Sequence, residues 1–124
     1  MRFMKFAGLL TIAVFVLSVF AVAEQNPMGI SDTYQVKFAD NVRVADTLLP
    51  QGDYEIRHVM EGQDHIMVFR QLRTRKPAEV RAKCTLVPLT EKASHDEKIY
   101  QVNAANELVL HELVFKGDRA KHVF

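Results

Sequence analysis

The residues best equipped for chemistry sit close together: His58, Met60, His65 and Met67 form two His-x-Met units within one short stretch. Imidazole and thioether donors suit copper, above all Cu(I), better than zinc or magnesium. The intervening Glu61-Gly62-Gln63-Asp64 predicts a hairpin tip, with Gly62 suited to the first central position of a type II′ turn. With Gly62-Gln63 as the two-residue loop, His58 falls opposite Met67 and Met60 opposite His65. The same register sets Glu55 against Arg70, an opposite-charge pair that supports it, and Ile56 against Phe69. A slip of one residue would turn every side chain to the other face. All four donors then share the face of Tyr54, Ile56 and Phe69. Cys84 and His111 are expected on inward faces of later strands, where either could complete a metal site if its strand lies beside the hairpin.

Packing offers a second reading of the same residues. Methionine fills cores readily, and a histidine on an apolar face is more often a hydrogen-bonded core residue than a ligand. Blue-copper proteins place Cys, His and Met close together on one late loop, an arrangement missing from this sequence. Ser94-His95-Asp96 contains three catalytic residue types, but immediate neighbours are not expected to reach a triad geometry, and a charged surface loop explains them. The basic run Arg70 to Lys76 has no interleaved aromatics and reads as a solvated loop. There is no Gly-rich phosphate loop, paired-Cys metal motif or nucleophile elbow, so nothing supports an enzyme and no catalytic residue is assigned.

The elements that must position these residues have a period of two. Tyr34, Val36 and Phe38 alternate with polar neighbours, as do Val80, Ala82, Cys84 and Leu86. A short extended piece from Val42 up to Asp46, Asp53 to Gln71 as a hairpin, Glu79 to Val87, Ile99 to Val102 and Leu108 to Phe115 complete the strand pattern, with turns at Leu48 to Asp53, Asn103 to Asn106 and Gly117-Asp118. About seven short strands without a helical period predict a single all-β domain, an antiparallel β-sandwich or small barrel, over residues 32–124.

Ahead of it, Met1 to Lys5 is cationic, Phe6 to Ala23 is uncharged, and Ala21-Val22-Ala23 is a small-x-small exit. These features predict a signal peptide over residues 1–23 and a secreted or periplasmic protein; an uncleaved membrane anchor is the rival. Residues 24–31, with Pro27 and Gly29, are expected to be a flexible leader. Cleavage removes Arg2 and Lys5 from the 16 basic residues and none of the 15 acidic ones, so a formal charge of +1 becomes −1. That balance argues against nucleic acid as a partner. It leaves a protein or a cell-envelope component, with membrane contact only through an uncleaved signal segment. Cys84 is the single cysteine, so no intrachain disulfide supports the core. The closing Phe124 resembles the last residue of outer-membrane barrels, but Arg57, Arg81 and Lys83 would be costly on a lipid face.

Asp46-Thr-Leu-Leu-Pro50-Gln-Gly52-Asp-Tyr54-Glu-Ile56 fits a Leu-Pro-x-Gly-x-Tyr-x-Val/Ile pattern. In that motif the chain resembles small secreted all-β proteins of environmental bacteria, notably acidobacteria. It is also similar to transthyretin-like and carboxypeptidase-regulatory-like β-sandwich modules. The resemblance spans about fifteen residues of turn chemistry, implies a β-sandwich and brings no catalytic residues. The resulting expectation is an exported, non-catalytic accessory that binds through the 70–77 and 90–98 loops, needing no cofactor. The alternative is a periplasmic copper protein built on His58, Met60, His65 and Met67.

Overall fold

The computed structural model describes residues 29–124. The expected signal peptide and most of the expected leader therefore lie outside the described residues. Nine strands follow in order: β1 (Thr33–Phe38), β2 (Val42–Val44), β3 (Thr47–Leu49), β4 (Gly52–Glu61), β5 (Asp64–Gln71), β6 (Glu79–Pro88), β7 (Glu97–Val102), β8 (Leu108–Val114) and β9 (Ala120–Val123). The fold is all-β, with the strands in one mixed sheet ordered β1-β4-β5-β6-β9-β8-β2-β3 and β7 paired to β8. Every pairing is antiparallel except β2 with β8.

Nine strands replace the seven expected because two short pieces find partners. Thr47–Leu49 pairs back onto β2, and Ala120–Val123 pairs with both β6 and β8. Thr47-Leu48-Leu49 does not alternate, and the four residues of β9 are too few to stand out in the sequence. β9 is the consequential addition, because it joins the hairpin's neighbour β6 to β8.

Alternation does decide the core. Tyr34, Val36 and Phe38 of β1 are buried, as are Tyr54 and Ile56 of β4, Met67 and Phe69 of β5, and Val80, Ala82 and Cys84 of β6. The Pro50–Tyr54 turn works as its chemistry suggests. Gly52 takes φ +147°, a region L side chains rarely adopt, and Tyr54 is wholly buried with its hydroxyl donating to the Pro50 carbonyl at 2.6 Å. β6 divides its pairing: Glu79 to Cys84 face β5, and Thr85 to Pro88 face β9.

β8 departs from simple alternation. Opposite β7 the register shifts between Ile99 and Tyr100, which pair with Glu112 and Leu110, leaving His111 unpaired in a β-bulge. The bulge changes the inward phase: Leu110 is buried on one side of it, Leu113 and Phe115 on the other, while Val109 and His111 are only half-buried. A period-two reading cannot anticipate an extra residue.

Candidate functional site

The hairpin register is the one the charges and the turn suggest. Glu55 pairs with Arg70, Ile56 with Phe69, His58 with Met67, and Met60 with His65. Gly62 has φ +61° and Gln63 does not share a positive φ, as a type II′ turn requires. One face of β4 and β5 therefore runs from a sealed base to an open tip. Tyr54, Ile56, Met67 and Phe69 are at most 1% exposed, His58 and His65 are half-buried, and Met60 is 53% exposed. The reverse face of the same strands is a charged surface: Arg57 pairs with Glu55 at 3.4 Å, Lys83 with Asp64 at 3.2 Å, and Arg81 with Glu61.

At the mouth of the inward face the two hairpin histidines meet. His65 Nδ1 lies 3.0 Å from His58 Nε2, and the rings stack with centroids 5.0 Å apart at 16°. One neutral imidazole can donate to the other across that gap. Two nitrogens 3.0 Å apart and each about 2.0–2.1 Å from one ion would subtend about 90–100° there, so the same gap accommodates a shared cation. Burial, and then the neighbouring His65, hold His58 below the usual imidazole range and keep its ring neutral and available as a donor.

Two further residues reach this cluster from neighbouring strands. Cys84 lies directly across from His65 in the β5–β6 ladder and is 5% exposed. Burial pushes its thiol up to about 11, so at neutral pH it is a protonated, unactivated thiol. His122, on β9, was not among the sequence candidates; its strand is four residues long and beyond the hairpin. Its ring is wholly buried, edge-on to His58 at 5.9 Å between centroids, and edge-on to Tyr34 and Phe115. Nδ1 faces Cys84 Sγ at 3.9 Å. Nε2 has no hydrogen-bond partner, the nearest carboxylate oxygen, Asp118 Oδ2, being 3.9 Å away. Leaving a buried polar atom unsatisfied costs about 1–3 kcal/mol and calls for an explanation. Burial drives His122 down to about 4, with His58 and His65 adding to the shift, so the ring is neutral.

Asp118 is 4% exposed and accepts a 2.6 Å hydrogen bond from the Tyr34 hydroxyl, which in turn accepts from the Ser31 amide. Burial raises its carboxyl above the usual range, and the Tyr34 hydrogen bond opposes that rise. Cys84, His122 and Asp118 thus follow one another in the order of a nucleophile, base and orienting acid. The high thiol, the low imidazole and the 3.9 Å gaps all oppose formation of a thiolate–imidazolium pair.

The remaining sequence candidates lie elsewhere. His111 sits at the β8 bulge, outside the chain of ring contacts joining His65, His58 and His122, and its carbonyl accepts from the Phe124 amide. In the 90–98 segment His95 bridges Ser94 and Glu97, with Ser94 Oγ 2.9 Å from Nδ1 and Glu97 Oε1 2.8 Å from Nε2. The acid is Glu97, because Asp96 accepts from the Lys116 amide instead. All of these groups are exposed. In the 70–77 loop Arg73 is tied to Asp53 at 2.5 Å, while Arg75 and Lys76 are exposed.

Among the described residues, no group of three or more His, Cys, Asp and Glu side chains is placed to hold one metal ion. The cluster therefore offers close pairs, His58 with His65 and Cys84 with His122, accompanied by the thioethers of Met60 and Met67. Such a set is too sparse for a tetrahedral zinc site and chemically suited to a soft ion that accepts low coordination. No family model matches the chain, and no curated protein or solved structure is significantly similar to it.

Proposed function

We propose that this chain is an exported, non-catalytic β-domain that binds Cu(I) at the open end of its β4–β5 hairpin. His58 and His65 serve as the primary donors, with Met60 and Met67 as flanking thioethers. The observation that carries the reading is the 3.0 Å approach of the two ring nitrogens at a half-buried mouth beside both methionines. Core packing alone would not need two imidazoles held together there. The ion would enter from the exposed Met60 side and replace the proton shared between the rings. That proton moves to the other nitrogen of the donor ring, so the exchange needs no base.

The domain is read as a sandwich or small barrel. A strand that pairs one neighbour with its first half and another with its second, as β6 does, is how packed sheets share a corner. Its place of work is the periplasm or cell exterior, as the signal-peptide pattern suggests, and its role is to hold or pass on copper for a cell-envelope component. The resemblance of the Pro50–Tyr54 turn to secreted β-modules fits export and a sandwich fold.

The test is titration of the purified protein with Cu(I) against a chromogenic chelator. Binding tighter than micromolar is expected, and the His58→Ala/His65→Ala double variant should lose the ion held at that pair. Absence of binding tighter than micromolar, or a double variant that binds as many ions as wild type, would overturn the proposal.

A further inference from the structure

We infer that a second, inner Cu(I) position lies behind the first, between Cys84 Sγ and His122 Nδ1. The inference rests on the metal-binding reading above and extends it to a two-position site.

Three observations on different strands converge on it. First, Cys84 is the lateral neighbour of His65 in the β5–β6 ladder, so the thiol adjoins the outer pair directly. Second, His122 on β9 is brought alongside by the pairing of Leu86 with His122 and Thr85 with Val123. It is wholly buried, yet it has a thiol sulfur at 3.9 Å on one nitrogen and no hydrogen-bond partner on the other. Third, His58 touches both rings, 5.0 Å from His65 and 5.9 Å from His122 between centroids, so one histidine bridges the outer and inner pairs.

The geometry fits a soft ion. With bonds of about 2.3 Å to sulfur and about 2.0–2.1 Å to nitrogen, donors 3.9 Å apart would subtend about 125–130°, a wide angle for two of three donors. Met67, wholly buried and paired with His58, lies on the same inward face between the two positions. Thiolate and thioether donors select Cu(I).

Charge fits as well. On binding, Cu(I) displaces the Cys84 proton, which leaves to solvent, and a thiolate–copper bond forms. The His122 Nδ1 lone pair makes the second bond, and any proton on Nδ1 moves to Nε2, which faces Asp118 Oδ2. No electron is transferred and copper remains Cu(I). The thiolate cancels the ion's charge, so the ion enters a dry site without leaving a net charge there. At the half-exposed outer pair no such cancellation is needed. Copper would thus dock at the exposed donors and pass by way of His58 to a sulfur-bound, solvent-shielded position.

The test is Cu(I) titration of the purified protein with a competing chelator, read as bound ions per chain, for wild type, Cys84→Ser and His58→Ala/His65→Ala. Two ions are expected for wild type and one for each variant, the ion retained by Cys84→Ser keeping its affinity within about threefold. As a second measurement that needs no variant, saturating Cu(I) should slow alkylation of Cys84 in mild denaturant at least tenfold. One ion in wild type, kept by Cys84→Ser with no protection of the thiol, would overturn the inner position while the outer site stands. No Cu(I) bound by wild type would overturn both.

Discussion

Two histidines of this protein show opposite chemistry. His95, in the exposed 90–98 loop, has a hydrogen-bonding oxygen at each nitrogen, from Ser94 at 2.9 Å and Glu97 at 2.8 Å. His122, in the core, has a sulfur at 3.9 Å on one nitrogen and no hydrogen-bond partner on the other. Ordinary energetics would reverse this, since the exposed ring has water available and the buried ring has not. The contrast is one of hydrogen-bond completeness: the exposed ring is satisfied at both nitrogens and the buried ring is not. On the proposed reading, the serine, histidine and acid on the surface form a satisfied loop, and the ring with an unsatisfied nitrogen beside a thiol and two more histidines belongs to the proposed donor set.

The contrast can be broken most forcefully at His122. His122→Ala should destabilise the metal-free protein by about 3 kcal/mol, since it opens a cavity in a sealed core. Denaturant unfolding measures it, and a cost below about 1 kcal/mol would mean that the ring is not packed as described.

Acid should act through the same ring to a similar extent. Its value is about 4 in the fold against 6.5 for an ordinary imidazole, so between these pH values the unfolded chain takes up a proton that the folded one refuses. Stability of the metal-free protein should therefore be unaffected by this group above pH 6.5 and fall by about 3 kcal/mol as pH drops towards 4. His122→Phe should remove that component of the acid loss, and His95→Ala should leave it intact.

Tyr34→Phe comes next, at about 2 kcal/mol, because it deprives buried Asp118 of its 2.6 Å donor. Smaller still, and opposite in sign, His122→Phe at neutral pH should stabilise the metal-free protein by about 1 kcal/mol, replacing an unsatisfied ring with an apolar one. His95→Ala should change stability by less than about 0.5 kcal/mol, as an exposed loop residue. A destabilisation by His122→Phe would contradict the unsatisfied ring nitrogen as the larger cost at this site.

Much of this was legible in the sequence, for identifiable reasons. Hairpin register followed from Gly62 and the Glu55–Arg70 pair, and it alone placed His58, Met60, His65 and Met67 on one face. The alternation of Val80, Ala82 and Cys84 put the thiol inward, but which strand lay beside it required the sheet order. What escaped depended on long-range pairing. His122 belongs to a four-residue strand whose burial comes from contact with β6 and β8, not from its own pattern. His111 was turned out of phase by a bulge that alternation cannot reveal. The one available signal for His122 was its alternation with Ala120 and Phe124 across Ala120-Lys121-His122-Val123-Phe124, a stretch too short to stand out.

On the proposed reading His58, His65 and His122 form a copper donor set, whereas His95 is a satisfied surface residue. Following the imidazole nitrogens by NMR while Cu(I) is added distinguishes the two groups. Three rings, those of His58, His65 and His122, should shift or broaden as copper saturates, with His95 unmoved throughout. Shifts at His95 comparable to those of the cluster, or a cluster that stays unperturbed at saturating Cu(I), would contradict the claim.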